Sequence, residues 1–95
     1  MKWVGRAPSI YNKTMTLADT EYSQELRSGL VKLLVQCRGL YDVKLSFVNG
    51  ESGTIYITIK GGMVYFEDMI DSPSRTLYFQ CATAGQVLEI IAWER

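Results

Sequence analysis

The sequence predicts an all-β chain, an antiparallel β-sandwich or jelly roll of about seven or eight short strands behind a short N-terminal arm. Three observations predict it. Apolar and polar residues alternate in run after run, as in Val43-Lys44-Leu45-Ser46-Phe47 and Leu77-Tyr78-Phe79-Gln80-Cys81. Turn formers such as Asn49-Gly50, Gly61-Gly62, Ser72-Pro73 and Ala84-Gly85 punctuate these runs. Thr, Tyr, Ile, Val and Phe, which suit a pleated and half-buried surface, fill the stretches between.

Residues 1–9 are polar, contain Gly5 and Pro8, and show no period, so they read as an arm. Trp3 is out of place there, because a large aromatic packs onto something, either its own domain or a partner. A single domain is expected over residues 10–95. Its first strand starts at Ile10, where Tyr11, Lys13, Met15 and Leu17 alternate with Ile10, Asn12, Thr14 and Thr16.

The stretch from Asp19 to Gly39 supports two readings. Tyr22, Leu26, Leu30, Leu33, Leu34 and Cys37 fall at helical spacing, with Thr20 as a cap. Gly29 within that helix would cost about 1 kcal/mol relative to alanine. Val31, Leu33, Val35 and Cys37 also alternate with Lys32 and Gln36, as two strands require. These residues alone leave both readings open.

Val43 to Phe47 is a half-buried strand, and Thr54 to Lys60 is its expected hairpin partner across a loop at Asn49–Gly53. Gly61-Gly62 turns the chain into Met63-Val64-Tyr65-Phe66, and Asp71-Ser72-Pro73-Ser74 breaks it again. Thr76 to Cys81 alternates. Val87 to Trp93 is the most apolar run, and a central strand covered on both faces is expected there.

Composition narrows function by exclusion. At 95 residues the chain makes one modest core. Ten basic residues balance ten acidic ones without forming a stripe, which argues against nucleic acid and anionic lipid as partners. No apolar run nears the roughly 18 residues of a membrane span, and the first residues lack the apolar centre of a signal peptide. Synthesis in a cytoplasm is therefore expected, with Cys37 and Cys81 as free thiols in apolar runs.

Chemistry is scarce. The chain has no histidine, so Ser/His/Asp and Cys/His nucleophiles and most zinc patterns are absent. There is no CxxC pair and no phosphate-binding glycine loop, and Gly50–Gly53 is explained by a hairpin turn. Glu67, Asp68 and Asp71 cluster in sequence, as an acid pair or a calcium site would. Neighbours on a strand point to opposite faces, however, so a solvated strand end accounts for them better. No catalytic residue, metal ligand or cofactor is expected.

The aromatic residues remain. Tyr56, Tyr65 and Tyr78 alternate with apolar neighbours and are expected to share an outward face. Together with Trp3 and Tyr11 they are candidate interface residues, since tyrosine offers apolar area with a polar tip. Cross-strand pairing within the sheet is the plainer account. A sugar-stacking surface that includes Trp93 ranks behind a subunit interface.

The segment Asn12-Lys13-Thr14-Met15-Thr16-Leu17-Ala18-Asp19-Thr20-Glu21-Tyr22-Ser23-Gln24-Glu25-Leu26 resembles the opening of small proteins encoded in phage and prophage structural gene clusters. Tyr41 to Phe47, Gly53 to Ile59, and Thr76 through Ala84-Gly85 to Trp93 are similar to the same group. The resemblance implies a non-enzymatic virion protein: a capsid decoration (cement) protein, or a head–tail or tail component. Expected partners are the major capsid protein or other virion proteins, with a homo-oligomer such as a trimer and residence in the virion after synthesis in the host bacterial cytoplasm. It also implies two strands joined at Arg27-Ser28-Gly29 rather than a helix. A carbohydrate-binding module used in host recognition is the alternative expectation.

Overall fold

Strands form where side chains alternate, and the computed structural model describes residues 7–70 and 75–94. Eight strands occur among them: β1 Ser9–Met15, β2 Tyr22–Leu26, β3 Leu30–Cys37, β4 Val43–Ser46, β5 Ile57–Ile59, β6 Val64–Glu67, β7 Arg75–Cys81 and β8 Gln86–Glu94. They build two four-stranded sheets. The first runs β1-β8-β3-β6 and the second β2-β7-β4-β5, with every pairing antiparallel.

The pairs are concentric: β1 with β8, β2 with β7, β3 with β6, and β4 with β5. Additional β3–β8 and β4–β7 pairing closes each sheet. This is a jelly roll, a long hairpin rolled so that successive pairs fall in opposite sheets.

Period-2 alternation places the core between the sheets. Leu33 and Val35 of β3, Leu88 and Ile90 of β8, Leu45 of β4, and Leu77 and Phe79 of β7 all point inward and are almost fully buried. Cys81 is buried too, and its thiol lies 3.3 Å from the Asp42 carbonyl oxygen, while Cys37 is half-buried; both are free.

The ambiguous stretch forms β2 and β3. Gly29, at φ 84°, turns the chain between them in a conformation that an α-helix does not use. Leu33 and Leu34, which lie on one side of a helix, point to opposite faces of the sheet instead.

Two expectations need correction. The β4–β5 connection is the ten residues 47–56 rather than five, and its strand partner is only Ile57–Ile59. Residues Thr54–Tyr56 stay in the loop because the Thr54 and Ile55 N–H groups donate to the Glu51 carbonyl, at 3.0 and 2.8 Å, in a turn rather than to a neighbouring strand. Secondly, β8 is central in its sheet but, among the described residues, covered on one face only. Its inward residues are buried, while Val87, Glu89, Ile91 and Trp93 face outward and are half-buried. The apolar outward residues hide that asymmetry from the sequence.

The β5–β6 turn stacks on the loop before β4. Gly61 N–H donates to Asp42 Oδ1 at 2.8 Å, and a side chain at Gly61 would strike the Leu40 carbonyl. With the Lys60 ammonium and the Gly61 N–H both aimed at it, the Asp42 carboxyl sits below its usual range, the backbone bond contributing most.

Candidate functional site

The two outer faces of the sandwich differ. On the second sheet, outward residues are Ser23, Glu25, Lys44, Thr58, Thr76, Tyr78 and Gln80, a polar set. The 47–56 loop folds back over part of this face and is tied down by one carboxylate. Glu21 accepts from Gly50 N–H (2.8 Å), Ser52 N–H (3.0 Å) and the Ser52 hydroxyl, which in turn accepts from Gln80 Nε2 (2.9 Å). Ser52 is fully buried. Burial pushes the Glu21 carboxyl up, but the Ser52 hydroxyl and the two N–H groups outweigh it and hold the pKa below the usual range. Lys44 Nζ sits 4.9 Å from the Tyr56 ring centroid and braces the end of the loop.

The first sheet has no such cover among the described residues. Its registry aligns Ile10 with Ile91, Ile91 with Leu34, and Leu34 with Phe66. All four point outward, so a row of large apolar side chains crosses the whole sheet. Ile10 is 67% exposed and Phe66 52%. Beside the row, Glu89 accepts from Gln36 Nε2 (2.9 Å) and pairs with Arg38 Nε (2.8 Å). Those two donors, Arg38 first, hold the Glu89 carboxyl low. On the other side of the row lie Trp93 and Lys32, which are directly paired.

A second apolar surface adjoins this face at β6. Phe47, Val48, Ile55 and Ile57 are exposed around one shallow groove of about 220 Å³. Ile57, Met63 and Val64 line a second groove of about 220 Å³ between the edge strands β5 and β6. These exposed apolar side chains make the row and the adjoining edge the candidate interaction surface.

Tyr11, Tyr56, Tyr65 and Tyr78, named from the sequence as interface candidates, are not part of this row. Tyr56, Tyr65 and Tyr78 do not share a face: Tyr78 is outward on the second sheet, Tyr56 is in the loop, and Tyr65 points inward. The residues between these tyrosines contain a crossover from one sheet to the other, which breaks any common face. Tyr11 also points inward and packs on the core. Trp3 lies outside the described residues. Trp93 and Tyr78 are on opposite outer faces, so they cannot stack on one sugar. The row Ile10–Ile91–Leu34–Phe66 was missed because it joins four strands whose registry is not written in the sequence.

The acidic cluster is dispersed as alternation requires. Asp68 is exposed, Asp71 lies outside the described residues, and Glu67 turns inward to meet Tyr65 and Arg75. Tyr65 Oη donates to Glu67 Oε1 at 2.7 Å and Arg75 reaches the same oxygen at 2.7 Å. Arg75 also lies 5.1 Å from the Phe47 ring centroid, and Phe47 meets Tyr65 at 6.1 Å. This cluster ties β6 of the first sheet to β7 of the second. Burial pushes the Glu67 carboxyl up, and the bonds from Arg75 and Tyr65 bring it below its usual range.

Burial and the Glu67 charge together push the Tyr65 phenol up to about 12. An absorbance titration is therefore expected to show one tyrosine ionising near pH 12, and Tyr65→Phe removes that step. A Tyr65→Phe variant that keeps the late step would show that the hydrogen bond to Glu67 does not form in solution. Because the folded pKa is raised, the contribution of this phenol to stability is present below pH 10 and lost as pH rises through the folded value.

A polar cleft of about 320 Å³ is lined by Lys13, Glu21, Tyr22, Ser23, Asn49 and Tyr78. Glu21 is occupied by the loop, and the Tyr22 hydroxyl accepts from Leu17 N–H at 2.9 Å. Among the described residues no cluster of three His, Cys, Asp or Glu side chains is placed to hold a metal ion.

No protein-family model matches the chain, and no curated protein matches it. Among solved structures the chain is similar to the solution NMR structure of a de novo designed double-stranded β-helix, with a TM-score of 0.55, covering 92% of this chain and 97% of that one. At 11% identity this likeness concerns the fold alone, and it agrees with the concentric strand pairing described above.

Proposed function

We propose that the chain is a non-enzymatic structural protein of a phage particle, a capsid decoration (cement) protein acting through repeated protein–protein contacts. The observation that carries this reading is the concentration of exposed large apolar side chains on one sheet face and the adjoining β5–β6 edge. The interior, by contrast, is filled with apolar side chains and offers no cleft for chemistry. A decoration protein needs contact area multiplied by symmetry, and many weak contacts add to firm attachment. Jelly rolls serve in viral capsids, a supporting analogy at the level of fold. The resemblance of residues 12–26 to phage structural-cluster proteins supports the same reading. The major capsid protein, or another virion protein, is the proposed partner.

The test is mass spectrometry of gradient-purified particles of the phage that encodes the chain, with copy number measured against the major capsid protein. Near-stoichiometric copies are expected. A few copies would move the protein to the neck or tail, and complete absence would end the virion reading.

The polar cleft favours a second reading, a carbohydrate-binding module. Tyr78 would stack on a sugar ring while Asn49 and Ser23 meet its hydroxyls. That reading requires saturable glycan binding that Tyr78→Ala removes, and flat curves across a broad glycan panel reject it.

A further inference from the structure

The outer face of the first sheet carries its own complement. Strand β8 presents an acid, Glu89, and an aromatic ring, Trp93. Its neighbour β3 presents the cations Lys32 and Arg38, the second just past its end, and the amide Gln36. These two strands lie side by side at the middle of the sheet. A two-fold axis that runs between them, parallel to the strands, lays β8 of one copy on β3 of the other.

We propose that this face binds a second copy of the same chain, forming a two-fold dimer of sandwiches packed sheet to sheet. The dimer takes up the sheet face on which the virion reading also draws and leaves the β5–β6 edge for contact with a particle, and the mass of the chain in solution tests it apart from particle attachment. In the dimer Ile91 covers the partner's Leu34 and Ile10 covers the partner's Phe66, so the apolar row is buried end to end. Glu89 approaches the partner's Gln36 and Arg38, and Lys32 lies over the partner's Trp93 ring, a favourable cation–π arrangement. Each of these contacts occurs twice, as a two-fold interface demands.

The size is that of a weak, reversible pair. A face four strands wide and about seven residues long spans roughly 19 by 23 Å in projection. Two such faces cover about 900 Å² before side-chain relief is counted, close to the ~1,000 Å² that separates specific interfaces from chance contacts. Aligned packing of two sheets about 10 Å apart needs no change in either backbone. The second sheet offers no equivalent face, since the 47–56 loop lies over it.

The test is the mass of the full chain in solution, by sedimentation or light scattering. Twice the 10.8 kDa of one chain is expected. Leu34→Glu, at the centre of the row, is expected to give folded monomer, whereas Met63→Glu on the adjoining edge leaves the dimer intact. A charge-reversal pair guards against a variant that merely unfolds. Glu89→Lys in one chain, and Arg38→Glu in another, should each weaken self-association about tenfold or more. Mixing the two variants should restore a heterodimer, because both contacts between positions 89 and 38 across the interface are then again between opposite charges. The proposal is overturned if the native chain stays monomeric at about millimolar concentration. It is also overturned if Leu34→Glu still dimerises, if Met63→Glu is the variant that dissociates, or if the mixed variants do not associate.

Discussion

Phe79→Ala is expected to reduce the folding stability by about 3–5 kcal/mol, the usual cost of deleting a buried aromatic ring. Phe79 is fully buried at the centre of β7, registered between Tyr22 of β2 and Leu45 of β4. Its ring fills the space between the sheets where Leu77, Leu45 and Ile90 also point. For a chain of this length the total stability is of the order of 5–14 kcal/mol, so the loss is a large fraction of the whole. Urea unfolding followed by fluorescence measures it, and the melting temperature should fall by about 15 °C or more. A loss below about 1 kcal/mol would mean that the two sheets do not close on this ring.

Glu21→Ala is expected to cost about 2–3 kcal/mol and to release the 47–56 loop. The carboxylate is the sole acceptor found for the Gly50 and Ser52 N–H groups among the described residues, and Ser52 is fully buried. Removing it leaves the buried Ser52 donors without that partner, which is costlier than losing the bonds alone, while the exposed Gly50 N–H turns to water. Glu21 is itself half-buried, so solvent screening keeps the effect at the lower end for a charged acceptor. Amide hydrogen exchange should accelerate at residues 50–55 while the paired amides of β3 and β8 remain protected. Equal acceleration in both regions would show that the loop does not open separately.

Acid should act on the same contact. The folded pKa of Glu21 lies below its ordinary value of 4.5. The unfolded chain therefore takes up the proton first, and the stabilisation is present above about pH 4.5 and lost as pH falls through the folded value. Glu67 and Glu89, also held low by their partners, contribute in the same direction. The urea midpoint of the native chain should fall below about pH 4.5, and more steeply than that of Glu21→Ala.

Much of the fold was legible because half-buried strands impose a period of two. Val43, Leu45, Leu77, Phe79 and Cys81 alternate in the sequence and are buried in the structure. The β2–β3 turn was only half legible, since Ser28-Gly29 and the alternation from Val31 to Cys37 suggested it while Leu26, Leu30, Leu33 and Leu34 also fitted a helix. The long loop was not legible, because Thr54-Ile55-Tyr56 has β-favouring side chains, whereas the structure turns it on the Glu51 carbonyl and ties the neighbouring Ser52 to Glu21, 31 positions away. The apolar row was illegible for a related reason. Ile10, Leu34, Phe66 and Ile91 are each ordinary in their own strands, and only cross-strand registry lines them up. Tyrosines drew attention instead, although two of the candidate five point into the core region.

The concentric pairing also sets the route by which the chain can reach its fold. Leu45 and Ile57 are 12 positions apart, Gln36 and Val64 are 28, Tyr22 and Phe79 are 57, and Ser9 and Ala92 are 83. Closing the widest pair first would order the longest loop with no other contact formed, and the entropy of loop closure rises with length. Once β4 and β5 have met, each further pair closes only the short gap left by the one inside it. The jelly roll is therefore expected to zip outward from its middle, with β1 and β8, which carry half of the apolar row, coming together last. A chain dominated by such distant pairings folds in milliseconds to seconds rather than microseconds. Throughout that interval β3 and β6 wait with an unpaired edge and an exposed apolar face, so fast completion by β8 protects the protein from aggregation as much as its final stability does.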